Sequence, residues 1–444
     1  MKSIDTEFPR VLVVSHNCFS DNTNMGRTLS SYFKSWNQDS VAQLYFHDET
    51  PNSKVCTRFY RFTDVDALKS IFLRAKKGRE FYACNIEECR VDSRNYSPVT
   101  RNIYEFGRKR KPFVSYLRDL MWFFSSWYNR AFKKWLDNFD PQAVFIAAGD
   151  YAFPYKIAFK IAKQRNIPIY LCCYDDYFIN YQHEGEFFRR VFYKHLLRNA
   201  KRTINACQVT FANNAKMAKD YEIFFGREWH VLYMPTTTIC NKVDYNLNTR
   251  KEIAYFGNLS YKRNLQLVTV GRFLKELNSD YLPTHIDVYS NEKNETITDV
   301  LTSENGIVFH GSVSQIEVQQ KMKNAIAVLH VESFDDQNRE LVRYSFSTKI
   351  ADCLGCGTPL IAFGPEDVAS IEYLIDNGCA FVATKKDELV NVFRDILNQN
   401  KVNTVLDKAF LTVKNNHDPD RIDVMFANYF KNSSKFYNRN KEIE

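Results

Sequence analysis

What this 444-residue chain lacks narrows its class before any motif is read. No run approaches the ~18 consecutive apolar residues that a spanning helix needs, so no membrane span is expected. No G-x-G-x-x-G follows any apolar strand-like run, which argues against a dehydrogenase. The eleven cysteines are odd in number and scattered without a framework, and the opening MKSIDTEFPR carries no apolar signal region. Both absences point to a reducing, cytoplasmic setting. Cys353-x-x-Cys356 has half the spacing of a zinc site, but no second Cys or His pair lies at ligand distance, so the two read as small core residues on a helix. With 45% apolar and 25% charged residues, disorder, collagen-like repeats and small disulfide scaffolds are excluded. A chain this long buries a core that needs no metal or disulfide staple.

What is present is an aromatic excess, 15% of residues, and an uneven charge. Residues 1–235 hold 36 basic and 24 acidic side chains, a balance of +12, whereas residues 236–444 balance at −4. A basic half beside an acid-leaning half suggests an anionic partner on one side: nucleic acid, an anionic membrane surface or a phosphorylated substrate. Nucleic acid fits least, because no recognisable module interleaves basic and aromatic residues.

The apolar pattern is α/β. Val11–Val14 is a continuous apolar run of the kind found in parallel strands buried on both faces. A polar, Gly-bearing loop follows, including Asn24-Met25-Gly26, and then a helical pattern through Leu29, Tyr32 and Phe33. Strand, loop and helix in that order form the first unit of a doubly wound sheet. The order recurs at Ala143–Ala147 (ending in Gly149-Asp150), Ile167–Tyr174 (ending in Asp175-Asp176), Ala206–Ala212 and Val231–Met234. It starts again at Glu252–Phe256, ending in Gly257, and continues through 286–289, 307–309, 325–331, 360–363 and 380–383. The expected organisation is a first domain over 1–235, a linker over 236–250, a second domain over 251–415, and a C-terminal helix and tail over 416–444.

Residues 56–139 break this order and read as an insert without a clean strand pattern. The insert carries the run Arg108-Lys109-Arg110-Lys111 and then PFVSYLRDLMWFFSSWYNRAFKKWLDNF. Tyr116, Leu117, Leu120, Phe124, Trp127 and Phe132 fit helical spacing, while Trp122, Phe123, Tyr128 and Trp135 widen the apolar arc. A broad aromatic face beside Lys and Arg is what an interfacial helix presents to headgroups. The alternative is an ordinary buried helix with a basic lead-in.

Over residues 200–415 the order of motifs resembles the donor-binding half of GT-B glycosyltransferases, particularly the family-4-like group. Ala206–Asn214 resembles its "A-D-x-V-x-x-x-S" strand and helix, Val231–Pro235 its interdomain crossover, and Ala254–Leu259 the first strand and glycine turn of its second domain. Ile307–Gly311 resembles "V-x-F-x-G", and Asp352-Cys353-Leu354-Gly355-Cys356-Gly357-Thr358-Pro359-Leu360-Ile361 resembles "E-A-M-A-C-G-T-P-V-I". The fold this implies is two Rossmann-like domains facing a cleft. The activity it implies is transfer of a sugar from a nucleotide-sugar donor to a hydroxyl. The basic first half and the aromatic helix favour a lipid-linked or polysaccharide-precursor acceptor and a peripheral place on an anionic membrane surface.

The resemblance also implies site residues. Asp352 stands where the family places a Glu that accepts both ribose hydroxyls. Arg343, Ser347, Thr348 and Lys349 lead into its helix, where backbone N–H groups, hydroxyls and cations suit a diphosphate. Arg263, six residues after Gly257, stands at the family's diphosphate lysine. Asn258 replaces the arginine that usually follows the glycine, and Arg343 is expected to compensate. Tyr344 replaces the first of two family glutamates, which puts the sugar contacts and the stereochemistry in question; Glu332 and Glu340 are nearby carboxylates without a placed role. In the first domain the strand-end candidates are Asp175 and Asp176, Asp150, and His16 with Gly26 in a cleft loop. An inverting transfer needs a general base, and the Asp175-Asp176 pair leads for that role with Asp150 next. Helix caps and turns are the competing reading of each. Because Arg, Lys and helix N-termini fill the diphosphate role, no cofactor and no metal is expected. Two other readings stay open: a nucleotide-sugar epimerase of the same architecture, and a non-catalytic nucleotide-binding partner.

Overall fold

The computed structural model describes residues 8–21, 24–72, 78–82, 112–180, 187–238 and 245–441. The basic run 108–111 lies outside them. The chain forms two compact units, one of Met1–Asn213, Ala218–Leu232 and Ile422–Glu444, the other of Asn214–Met217 and Tyr233–Arg421.

The first unit is built on an eight-stranded sheet. Its strands are β1 (Val11–Ser15), β2 (Val41–Tyr45), β3 (Arg58–Arg61), β4 (Arg79–Tyr82), β5 (Ala143–Ala147), β6 (Ile169–Cys173), β7 (Cys207–Ala212) and β8 (His230–Val231). They lie in the order β4-β3-β2-β1-β5-β6-β7-β8, parallel throughout except for the antiparallel β3–β4 pair. The central runs are buried along their whole length, as two-sided cover requires. Strands β3 and β4 correct the expectation for 56–139. Each is four residues long, RFYR with Arg at both ends and REFY opening on Arg79-Glu80, so an apolar run was never there to read.

Helices α1 (Asn24–Tyr32), α2 (Asp64–Phe72), α3 (Pro112–Phe124), α4 (Arg130–Phe139), α5 (Ala152–Arg165) and α6 (Phe187–Asn205) accompany this sheet. The aromatic stretch is thus two helices. Ser125 closes the first by donating its hydroxyl to the Trp122 carbonyl (2.8 Å), and the Asn129 side chain caps the second by accepting from Phe132 N (3.0 Å). The C-terminal helix expected within 416–444 belongs from Ile422 onward to the first unit. Pro419–Lys441 is helical, and Phe426 and Phe430 are buried in the first unit's core, where the Phe430 ring stacks on Tyr170 at 3.8 Å.

The second unit holds six parallel strands: β9 (Glu252–Phe256), β10 (Ile286–Tyr289), β11 (Ile307–Gly311), β12 (Ala325–Val331), β13 (Leu360–Phe363) and β14 (Phe381–Ala383). Their order is β11-β10-β9-β12-β13-β14. Cys353 and Cys356 are buried, the Cys356 thiol donating to the Cys353 carbonyl at 3.0 Å. The crossover segment is fixed by His417, whose Nδ1 donates to the Met234 carbonyl (2.7 Å) while Nε2 accepts from the Tyr373 hydroxyl (2.8 Å).

Burial keeps this imidazole neutral, lowering its pKa from 6.5 to about 4. The unfolded chain takes up a proton near 6.5 that the folded chain refuses until about 4. Stability present above pH 6.5 is therefore lost as the pH falls, by about 3 kcal/mol at this one site. Denaturant unfolding of the second unit between pH 7 and 4.5 measures it, and His417→Gln is expected to flatten that part of the slope.

Candidate functional site

In the first unit a cavity of about 330 Å³ opens at the carboxyl ends of β1 and β5, where open α/β sheets bind ligands. His16, Asn17, His47, Arg118 and Asp150 line it, with Met25, Tyr151 and Tyr177. A larger groove of about 980 Å³ lies at the opposite, amino ends of these strands, between Arg10, Gln142 and Pro168. Its charged walls are already paired, Arg10 with Asp140 (2.7 Å) and Arg165 with Asp137, and it holds no candidate residue.

The cavity wall is over-determined. Glu49 accepts from the Asn17 amide (2.8 Å) and from Cys18 N (3.1 Å), and Gln43 donates to the Asn17 carbonyl (3.1 Å). Burial works to raise the Glu49 pKa, but hydrogen bonding and charge from His47 with the Cys18 and Asn17 donors hold it below the usual value. Gly149 packs directly on His16, where a Cβ would come 3.0 Å from the ring. Both nitrogens of His16 are buried without a hydrogen-bond partner among the described residues. Burial, with Arg118 and His47 adding like charge, lowers its pKa well below 6.5, so it enters the cavity as a neutral imidazole with one donor and one acceptor to offer.

Arg118 arrives from α3. Its Nε donates to Asp64 (2.9 Å), and its guanidinium sits 4.1 Å from the Tyr151 ring centroid. The next residue, Asp119, accepts from Ala152 N (3.1 Å) and Phe153 N (3.0 Å), capping α5 from outside the helix; burial raises its pKa to about 6. Neither Arg118 nor the His47–Glu49 pair was among the sequence candidates. The signal for Arg118 was an Arg-Asp pair inside an otherwise apolar helix.

The other first-unit candidates separate. Asp176 is a turn cap: Oδ1 accepts from Phe178 N (2.9 Å), Ile179 N (3.0 Å) and the Tyr221 hydroxyl (2.8 Å), and Oδ2 from Asn180 N (2.8 Å). A carboxylate holding four donors is not placed to take a substrate proton, and the expected lead role of the Asp175-Asp176 pair is revised accordingly. Asp175 is exposed and not part of the cavity lining. Gly26 sits in the first turn of α1 rather than in a loop. His16 and Asp150 are the two candidates that one cavity brings together.

In the second unit, Gly257 and Asn258 follow β9, and the Tyr255 hydroxyl donates to the Asn258 carbonyl (2.6 Å). Arg263 begins the helix Arg263–Leu277 but does not stand open to a diphosphate. It forks onto Glu332 at the end of β12, Nε to Oε2 at 3.0 Å and Nη2 to Oε1 at 2.9 Å, with the Glu332 side chain 1% exposed. Burial pushes the Glu332 carboxyl up and the Arg263 guanidinium offsets part of that. His330 adjoins the pair and donates or accepts at Ser370 Oγ (3.0 Å); burial and the charge of Arg263 lower its pKa to about 3. Of the two carboxylates without a placed role in the sequence, Glu332 is thus the buried partner of Arg263, while Glu340 is exposed.

Arg343 is half-buried, its Nε without a hydrogen-bond partner among the described residues. Tyr344 is buried, and its carbonyl accepts from the Asn214 amide (2.9 Å). Ser347 and Thr348 precede the helix Lys349–Gly355. Desolvation lowers the Lys349 pKa, opposed by Cys353 and Asp352 and reinforced by Arg263. Asp352 Oδ1 accepts from Thr237 N (2.8 Å), Thr237 Oγ1 (2.9 Å) and Thr236 Oγ1 (3.1 Å). Gly355 makes that approach possible, since a Cβ there would overlap the Thr238 carbonyl. A ribose at Asp352 would have to exchange with these threonine contacts.

No protein-family model matches the chain, and no curated protein does. Solved structures match along nearly its whole length. The Burkholderia multivorans α,α-trehalose 6-phosphate synthase aligns with a TM-score of 0.58 at 9% identity, covering 98% of both chains. The fold is GT-B. Anabaena HepE, solved in complex with UDP-glucose, aligns at 0.55 and 12% identity over 95% of this chain and 99% of its own. WaaG, a glycosyltransferase involved in lipopolysaccharide biosynthesis, aligns at 0.50 and 11% over 94% and 99%. Among its described residues the 56–139 segment contributes β3, α2, β4, α3 and α4 to the first unit, with both strands in its sheet.

Proposed function

We propose that this protein is a glycosyltransferase that moves a hexose from a nucleotide-sugar donor to a hydroxyl of a saccharide acceptor, lipid-linked or a polysaccharide precursor. The observation that carries the reading is the GT-B fold across nearly the whole chain, among neighbours one of which is solved with UDP-glucose. The second unit takes the donor and the first-unit cavity the acceptor. The bond from the sugar C1 to the diphosphate oxygen breaks, a bond from C1 to the acceptor oxygen forms, and the acceptor proton passes to a base. Asp150 is the carboxylate offered for that proton, and His16 orients the sugar hydroxyls as a neutral donor and acceptor. The charge of the departing diphosphate is met by Arg343 and Lys349, so the transfer is proposed to run without a metal or other cofactor. The ribose contact is assigned to Asp352.

A second reading, a nucleotide-binding GT-B partner without chemistry, draws on the buried Tyr344 and on the Arg263–Glu332 pair. Thermal-shift measurements with nucleoside diphosphates and nucleotide sugars test donor binding. A ligand at a hundred times its Kd is expected to add about 2.7 kcal/mol, and no response to any of them would remove both readings. Arg343→Ala is expected to weaken the donor at least tenfold, since a charge-assisted hydrogen bond is worth about 1.5–3 kcal/mol. Unchanged donor affinity in that variant would remove Arg343 from the site.

A further inference from the structure

Helix α3 is amphipathic in the wrong sense for a solvent-facing helix. Its polar residues Ser115 and Asp119 are buried at 8% and 2% exposure, and Arg118 turns into the cavity. Five of its apolar residues point outward: Phe113, Leu117, Leu120, Phe123 and Phe124 are 40–67% exposed, while Trp122 is buried at 1% on the inward face. At the start of α6, Phe187 and Phe188 extend the same face at 69% and 50% exposure, the Phe188 ring lying 5.2 Å from Phe113. Isolated exposed apolar residues are ordinary, but a contiguous aromatic face of this kind marks a surface that something covers.

Charge identifies the cover. Beside this face, between α5 and α6, lies a cleft of about 290 Å³ walled by Lys156, Lys160, Lys163 and Arg202 with no carboxylate among its lining residues. The two features are joined: Lys156 Nζ is 5.6 Å from the Phe123 ring centroid, and Lys160 Nζ is 4.6 Å from that of Tyr128. Bulky aromatics beside a concentrated positive charge match a bilayer interface, where rings enter the headgroup–acyl boundary and cations meet anionic headgroups. An apolar protein partner would leave four lysine and arginine charges unmatched.

We infer that the first unit docks on an anionic lipid bilayer through the outer face of α3 and the start of α6, with the Lys156–Lys160–Lys163–Arg202 cleft taking lipid phosphate. The inference rests on the proposed transfer to a lipid-linked acceptor for its purpose: one helix then carries the membrane face outside and Arg118 in the acceptor cavity inside.

The test is co-sedimentation of the full chain with vesicles of phosphatidylcholine alone and of phosphatidylcholine with 30% phosphatidylglycerol. Binding is expected to the anionic vesicles, falling at least tenfold in F123D/F124D, in K160E/K163E, and for the wild type in 0.5 M salt. Circular dichroism and the thermal unfolding transition report whether each variant is folded. If F123D/F124D does not fold, K160E/K163E carries the same test from exposed positions. Absence of binding to anionic vesicles, or equal binding by the charge-reversed variant, overturns the inference. So does a self-associating protein that F123D/F124D converts to a monomer, because a second copy then covers the face. Vesicle binding without any nucleotide response would leave the docking standing and remove the glycosyltransferase reading; a nucleotide response without vesicle binding does the reverse.

Discussion

Arg263→Ala is expected to destabilise the second unit by about 3–5 kcal/mol, the cost of leaving one partner of a buried ion pair without the other. The geometry makes this severe. Glu332 is 1% exposed and receives both arms of the guanidinium, so its carboxylate has no water to turn to. The loss should depend on pH in a definite direction. An unpaired buried Glu332 has a folded pKa above its unfolded value of 4.5, so the folded state gains from protonation, and the Arg263→Ala penalty shrinks as the pH falls from 8 towards 5. Glu332→Gln should cost a similar amount without that relief, because the buried guanidinium left behind does not titrate in this range. A joint replacement by Leu at both positions is expected to recover most of the stability. Chemical denaturation of the four proteins at two pH values measures all of this, and a loss below 1 kcal/mol in Arg263→Ala would contradict the pairing.

Asp150→Asn is expected to lower the rate of sugar transfer by about 10²–10⁴ while leaving the unfolding transition in place, as removal of a general base does. Asp176→Asn is expected to show the opposite pattern. Its carboxylate holds three backbone N–H groups and the Tyr221 hydroxyl, so its loss should cost about 1–3 kcal/mol of stability and affect turnover only through folding. Steady-state rates and melting curves of the two variants separate the roles. Full activity in Asp150→Asn would remove it as the base.

The same contrast shows what residue order carries and what it does not. Central parallel strands are buried on both faces, so their runs are continuous and their ends fall where the apolar pattern stops; 252–256, 325–331 and 360–363 are visible without any structure. Strands β3 and β4 are only four residues long, each a Phe-Tyr pair beside charged residues, and they leave no such trace. The fold resemblance rests on motifs between residues 200 and 415, and solved structures of that fold align over nearly the whole chain. Site roles were harder to read because they depend on contacts far apart in the chain. Asp175 and Asp176 look equal as neighbours, yet the second caps a turn. Arg263 occupies the diphosphate position of the resemblance, yet Glu332, 69 residues later, reaches it first. The aromatic stretch hid its meaning in the spacing of its few polar residues: Ser115, Arg118 and Asp119 mark the inward face, which leaves the phenylalanines outside.

The most direct measurement is incubation of the protein with donor sugars labelled at C1, each with and without a membrane lipid extract, following the label and the nucleoside diphosphate together. The expected result is label appearing in the lipid-linked fraction one for one with nucleoside diphosphate released, and neither product in Asp150→Asn. Label that remains on the nucleotide, whether as an isomerised sugar or as untouched donor bound by the protein, would contradict glycosyl transfer.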